Sequence, residues 1–417
     1  MTSIPTLIAI LLGISIPSLV LGRSVFAVLF GVGIILIFIN KPFAEIRADL
    51  ATVWRRPLGL LLLVIFALSL PSLFASDYPV RSFEAIARTF IFCNFGIVIW
   101  AYLKDRPALT GVWMKSLIIS SAVAICFAFI SQYVHPEPYW FLHLKGWKSA
   151  PLIHTLKGFA AITVLVIPLF ALALSINKLN DIHRFIALAA IAGFLVLIVA
   201  LGARASIAGM LAILLCVLVG IGTRVGSRFQ LTMTAGLVLS CFAGTVLWLR
   251  ITRSNMIELA PDGNYFLPVW LIDFERQTIW ANALEIGLRT PWFGRGPNTI
   301  NFAPGADKLL EGTQGLHVIP AHPHNWSVEL FAEIGTVGLV FLLIFLLAAS
   351  YQLLLGYRRS GNLKFLAAIA IFAGYWGSGL FNFSFWSAWW QLAFILAMGF
   401  SLSLSTASAK PPGKFMQ

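Results

Sequence analysis

Three places in the chain hold side chains able to do chemistry. The first is His322-Pro323-His324-Asn325. Pro323 has no N–H and pushes His322 toward an extended backbone. Asn325 is a good N-cap for a helix that begins at Trp326. His324 is then expected at a helix N-terminus, where the macrodipole disfavours imidazolium. A neutral imidazole is what a general base requires, and the free N–H groups of such an end can receive an anion such as a phosphate. The plain alternative is a pair of interfacial histidines with no role. A metal site is a poorer reading, because two histidines two positions apart have no clustered third ligand.

The second place is Arg276, in Asp273-Phe274-Glu275-Arg276-Gln277-Thr278-Ile279-Trp280. This stretch reads as an amphipathic helix from about Val269 to Leu288, stopped by Pro291, Gly294 and Gly296. Arg276 lies three residues after Asp273 and four before Trp280. It is therefore either a surface ion pair or ring stack, worth roughly 0.5 kcal/mol, or a bidentate clamp on a phosphate. The third place is Arg204, in Leu201-Gly202-Ala203-Arg204-Ala205-Ser206. A lone arginine in a tight apolar hairpin can snorkel to the membrane interface. Its small neighbours also leave room around it, on the face of the membrane that carries Arg276 and His324.

The elements that must position these residues are membrane helices. The chain has 417 residues, 59% hydrophobic and 11% charged, with a mean hydropathy of +0.90. Soluble domains carry about 25% charged residues, so too little polar surface exists to cover a water-soluble particle. A span takes about 20 mostly apolar residues. That rule predicts about twelve spans: 4–21, 24–40, 58–75, 85–103, 113–133, 157–176, 185–202, 205–223, 231–251, 326–354, 364–383 and 386–405. The expected fold is an all-α integral membrane bundle, residues 1–417 forming one polytopic domain, with a long extramembrane loop over 252–324 between the ninth and tenth spans. The apolar run Ile4–Leu21 follows no Lys or Arg and has no small-x-small cleavage site, so it is expected as a retained span and not a signal peptide. Cys93, Cys126, Cys216 and Cys241 lie inside apolar runs and read as small buried hydrophobes.

The net charge of +13 follows topology. With the N-terminus in the cytoplasm, the inner loops hold Lys41, Arg47, Arg55, Arg56, Lys104, Arg106, Lys178, Arg184, Arg224, Arg228, Arg358, Arg359 and Lys364, with Lys410 and Lys414 in the tail. The short outer loops hold only Arg23, Arg81, Lys145, Lys148, Lys157 and Arg204. This asymmetry predicts both termini inside and the long loop outside. The basic residues are scattered in short loops and form no tract with interleaved aromatics, which points to anionic lipid and away from nucleic acid. The long loop itself is balanced, its Arg250, Arg253, Arg276, Arg289, Arg295 and Lys308 being offset by Glu258, Asp262, Asp273, Glu275, Glu285, Asp307 and Glu311. Any anion site there must be local. Trp140, Trp147, Trp270, Trp292 and Trp326 are expected at membrane–water boundaries.

The ordered set Arg276 to Trp280, Gly294-Arg295-Gly296, His322 to Asn325 and Glu333-Ile334-Gly335-Thr336-Val337-Gly338-Leu339 resembles the O-antigen ligase/polymerase superfamily over roughly residues 195–345. Ala203-Arg204 stands where that family often has Ser-Arg. The resemblance implies a membrane glycosyltransferase of the C-type architecture, working without metal, cofactor or nucleotide sugar, which fits the lack of an Asp-x-Asp motif. It implies an undecaprenyl-diphosphate-linked glycan donor and, in the ligase branch, a sugar hydroxyl of lipid A–core as acceptor, in a bacterial inner membrane with the active site facing the periplasm. On that basis His324 is expected as base, Arg204 and Arg276 as stabilisers of the leaving diphosphate, and His322, Arg295 and Asn325 as substrate-binding residues. Direct displacement would invert the anomeric configuration. The same family offers two rivals, an O-antigen polymerase and a protein O-oligosaccharyltransferase. The short tail after Ser405 is expected to disfavour the latter. A transporter of the same lipid would carry inverted repeats and paired Gly/Pro-broken helices, and neither is seen.

Overall fold

The computed structural model describes residues 3–142, 152–176, 179–224, 228–256, 265–310, 313 and 315–404. Lys145, Trp147, Lys148, Lys178, Lys410, Lys414, Glu258, Asp262 and Glu311, all part of the charge and aromatic pattern above, lie outside them. The helices are α1 Ile4–Ser15, α2 Arg23–Asn40, α3 Phe43–Trp54, α4 Pro57–Ser69, α5 Pro79–Lys104, α6 Thr110–Tyr133, α7 Glu137–Leu142, α8 Leu152–Ala161, α9 Thr163–Leu174, α10 Asp181–Ala200, α11 Arg204–Gly222, α12 Arg228–Thr252, α13 Phe274–Leu288, α14 Trp326–Ser360, α15 Leu363–Gly379 and α16 Ala388–Ser403. Among the described residues no strand forms, beyond an isolated bridge between Leu309 and His317.

Nine segments of the described residues are long and apolar enough to cross a membrane, α8 and α9 together making one of them. Three shorter apolar helices, α1, α15 and α16, complete the twelve runs expected. The chain is an all-helical, multi-pass membrane protein. Helix starts follow local chemistry. Proline occupies the first turn of α1, α4 and α5, where its missing N–H costs nothing. Asn180, Asn325 and Asn362 accept hydrogen bonds from the first-turn N–H groups of α10, α14 and α15, as capping residues do.

Several details depart from expectation. The segment after Lys41 forms α3, and Lys41 is buried between Asp49 at 2.7 Å and Asp105 at 3.1 Å; its charge is neutralised inside the protein. Trp326 is buried, its indole N–H donating to the Trp376 carbonyl at 2.9 Å, so it is a core residue and not an interfacial anchor. Cys126 is exposed on the bundle surface, a place an apolar thiol can hold against lipid.

Helix α11 packs against α15 by way of small residues. A Cβ on Gly209 would meet the Gly374 carbonyl, and one on Gly377 would meet Ala212. Close backbone approach of this kind replaces hydrophobic drive within lipid. Helix α14 is broken at Gly335, where φ is 71° and ψ −177°, a conformation open essentially to glycine alone. The break lets the loop that follows α13 enter the helix. Arg295 and Gly296 donate their N–H groups to the carbonyls of Ala332 and Glu333 at 3.0 and 2.9 Å, and Thr336 and Val337 donate to Pro291 and Trp292 at 2.8 and 3.1 Å. The Ala332 and Glu333 carbonyls and the Thr336 and Val337 N–H groups at the break are thereby paired, as backbone polar groups of an apolar span must be. A Cβ on Gly294 would strike the Glu333 and Ile334 backbone, and one on Gly335 the Trp292 and Phe293 backbone. The two glycine motifs of the sequence are the two sides of this one joint.

Candidate active site

Helix α13 begins at Phe274, five residues later than the apolar pattern suggests. Pro268 starts a turn in which Leu271 and Ile272 donate to its carbonyl at 2.8 and 3.0 Å. The buried Gln277 side chain holds that turn: its amide donates to the carbonyls of Leu267 and Ile272, and its oxygen accepts from the Leu267 N–H. The face Ile279, Trp280, Ala283 and Ile286 packs with Ile300, Ile319 and Ala332 into a small core between the loop and α14. From that face the Trp280 indole N–H donates to the Pro323 carbonyl at 2.9 Å, fixing the histidine turn.

His324 has φ of 58°, an uncommon conformation for a non-glycine residue that often marks a functional turn. Its Nδ1 lies 3.1 Å from the Asn382 carbonyl. A carbonyl only accepts, so Nδ1 carries the proton and Nε2 keeps its lone pair. The His324 backbone N–H donates to His322 Nδ1 at 3.1 Å, which assigns the opposite tautomer to His322. The two rings stand 4.1 Å apart, centroid to centroid. His324 is pushed down to about 4 by burial and then by the charge of Arg276. His322 is pushed down to about 3 by burial, then by His324, Arg23 and Arg276. Both are neutral at pH 7. The leading causes are burial and arginine, where the sequence suggested the helix dipole.

The Asp273–Arg276 ion pair, one of the readings of Arg276, does not form. Asp273 instead binds Arg204 through Oδ2 at 2.6 Å and Arg253 through Oδ1. Arg276 makes no salt bridge among the described residues. Burial pushes it down to about 10, with Arg204 adding to the effect and Glu275 opposing it. Trp280 turns to the histidine loop and is no stacking partner for Arg276. Arg204 and Arg276 line the same cavity of about 290 Å³, whose remaining walls are apolar apart from Thr245: Ile207 and Leu211 of α11, Phe242, Val246 and Leu249 of α12, and Leu380 and Phe381 after α15. From Phe242 to Leu249 that wall descends roughly 10 Å at the usual helical rise. Arg204, Arg276 and His324 are thus brought together, with Arg276 acting electrostatically on both His322 and His324.

Arg295 and Asn325 are placed differently. Arg295 pairs with Asp77 at 2.6 Å, before α5. Asn325 spends its oxygen on capping α14, accepting from the Ser327 N–H and hydroxyl and from the Val328 N–H. Two acids carry much of the architecture. Glu329 accepts from the Ser384 hydroxyl and the Phe385 N–H. Glu333 accepts from the N–H groups of Asn298, Thr299 and Ile300 and from the Trp386 indole. They tie the start of α14 to the loop that follows α13 and to the segment between α15 and α16 that supplies Asn382. A pair of acids one helical turn apart inside an apolar span is the signal that marks them. Nothing comparable in the sequence joins Lys157, Arg253 or Asn382 to the site.

The fold and site define an all-helical membrane protein with an arginine–histidine centre at one end of the bundle. Residues 187–343 match the O-antigen ligase family, a region that includes Arg204, Arg276, Arg295, His322, His324 and Asn325, so the resemblance read from the motifs is shown there. Proteins named "Putative polysaccharide ligase" are similar over part of this chain. One from Rickettsia conorii is 26% identical over 117 residues, 28% of each chain. One from Rickettsia prowazekii is 26% identical over 120 residues, 28% of this chain and 29% of that protein. One from Rickettsia felis is 30% identical over 74 residues, 18% of this chain and 17% of that protein. The matched stretches span less than a third of these relatives.

Proposed function

We propose that this protein is an O-antigen ligase: it moves a glycan from an undecaprenyl diphosphate carrier to a sugar hydroxyl of lipid A–core. The observation that carries the reading is the joining of His324, its Nε2 lone pair free and its ring neutral, to Arg276, which with Arg204 lines a largely apolar cavity. The isoprenoid lies against the apolar walls and its diphosphate meets Arg204 and Arg276. The acceptor oxygen attacks the anomeric carbon and its proton passes to His324 Nε2. The bond from that carbon to the diphosphate oxygen breaks with its electron pair, and the new negative charge falls to the arginines. The products are glycosylated lipid A–core, with inverted anomeric configuration, and undecaprenyl diphosphate. His322 orients the incoming sugar beside His324. Fixed guanidinium groups supply the charge stabilisation that a divalent cation would otherwise give. Positive-inside asymmetry supports both termini in the cytoplasm of a bacterial inner membrane and the site at the periplasmic face.

The test is reconstitution of the full chain with undecaprenyl-diphosphate-linked glycan and lipid A–core in EDTA. Glycan on lipid A–core supports the ligase. Lengthened carrier-linked glycan would move the protein to the polymerase branch, and no transfer to either acceptor would overturn the enzymatic reading.

A further inference from the structure

Asp273 takes two arginines at once, Arg204 on Oδ2 and Arg253 on Oδ1. Two carboxylate oxygens meet guanidinium groups in the same fork that a phosphate presents. Arg253 stands one helical turn beyond Leu249 of the cavity wall, its N–H donating to the Leu249 carbonyl at 3.1 Å. Its Nη1 donates to the Trp270 carbonyl at 2.8 Å, and its side chain is only 12% exposed. A further cation is close by. The Ser206 hydroxyl donates to the Ala160 carbonyl at 3.2 Å, which sets the last turn of α8, with Lys157, against the first turn of α11, with Arg204. Lys157 lies within electrostatic range of Arg204 and Arg276, and neither it nor Arg276 has a salt bridge among the described residues. Four cations thus face two carboxylates, Asp273 and Glu275. The surplus of two positive charges matches a diphosphate diester, which has lost one proton per phosphorus at neutral pH.

We propose that Arg253 is a third phosphate-binding arginine of the donor site, and that Asp273 is an internal counter-ion which the donor's diphosphate displaces from it. This rests on the lipid-diphosphate reading given above. A carboxylate brings one charge to two guanidinium groups. A diphosphate brings two charges and more oxygens, so it can take over both contacts while also reaching Arg276.

The experiment measures binding of a polyprenyl diphosphate without glycan to the full chain in nanodiscs, with polyprenyl monophosphate in a parallel arm. Arg253→Gln is expected to weaken diphosphate binding by about tenfold or more, as loss of a charge-assisted contact does, and monophosphate binding by less. Arg253→Lys is expected to fall between. Asp273→Asn is expected to tighten binding, because it removes the competitor; Asp273 makes no side-chain cap to α13, so the helix start survives. The opposite signs are decisive. A purely structural latch would be loosened equally from either side, so Arg253→Gln and Asp273→Asn shifting binding in the same direction would overturn the proposal. So would unchanged binding in Arg253→Gln. Should Arg253→Gln fail to fold, Arg253→Lys and Asp273→Asn still give the sign. If the wild type binds no lipid diphosphate, the donor reading itself falls, a result distinct from a wild type that binds and an Arg253 variant that binds as well.

Discussion

Replacing Glu333 by glutamine changes few atoms and should have a large local effect. The carboxylate is 0% exposed and accepts from four donors: the Asn298 N–H and the Trp386 indole on Oε2, and the Thr299 and Ile300 N–H groups on Oε1. Glutamine offers one oxygen and one NH2. Whichever way the amide turns, two of the four N–H donors face another donor. Each buried donor left without a partner costs about 1–3 kcal/mol, so the pair costs roughly 2–6 kcal/mol. Relaxation of the loop favours the lower half of that range, about 3 kcal/mol. At about 1.4 kcal/mol per tenfold, opening of the 298–300 segment becomes on the order of a hundred times more frequent. Hydrogen exchange of the Asn298, Thr299 and Ile300 amides, measured on protein in detergent, reads this directly. The expected result is roughly hundredfold faster exchange there, with α1 and α6 unchanged. Exchange within about threefold of wild type would refute the reasoning, since it would mean that Glu333 is not the acceptor these amides depend on.

Four further outcomes are expected. The neutral histidines give a pH dependence of defined sign: their folded values lie below the ordinary histidine value of 6.5, His324 at about 4 and His322 at about 3. The unfolded chain therefore takes up protons first, and thermal stability falls as pH drops from 6.5 toward about 4. His324→Gln should flatten part of that loss, and an unchanged profile would contradict the assignment. Because Arg276 helps to depress His324, a bound diphosphate should raise it, so the acid limb of kcat lies at higher pH than that of kcat/KM; coincident limbs would rule this coupling out. Trp280→Phe removes the hydrogen bond to the Pro323 carbonyl, worth about 1 kcal/mol, and should lower single-turnover transfer several-fold while leaving lipid-diphosphate binding intact. Gly335→Ala brings strain of about 1–3 kcal/mol from backbone conformation and a collision with the Trp292 and Phe293 backbone; the thermal midpoint of any folded protein should drop by many degrees.

The spans were legible because burial in hydrocarbon demands long apolar runs whatever the tertiary packing. The histidine turn was legible for a local reason too: Pro323, Asn325 and the helix start at Trp326 act within four residues. The same locality misled at Asp273. Helical spacing points it at Arg276, yet its carboxylate turns to Arg204, 69 residues away, and to Arg253. Only the packing of α11, α12 and α13 brings those side chains together, and no periodicity encodes it. Val269 looked helical by apolar pattern, but Pro268 and the Gln277 side chain claim the backbone groups that a longer helix would need. The family resemblance implies Arg295 as a substrate contact, and the fold pairs it with Asp77. The glycines themselves were visible as a motif, while their purpose, a joint between a broken helix and a loop some forty residues earlier, required both backbones.

The central claim is that His324 removes the acceptor proton beside arginines that hold the leaving diphosphate. It is tested most directly by single-turnover transfer from undecaprenyl-diphosphate-linked glycan to lipid A–core in wild type and His324→Ala, with binding of both substrates measured on the same preparations. The account predicts that transfer falls by about 10²–10⁴, the usual contribution of a positioned base, while binding of donor and acceptor changes little. Transfer by His324→Ala within about threefold of wild type, with both substrates bound, would contradict it.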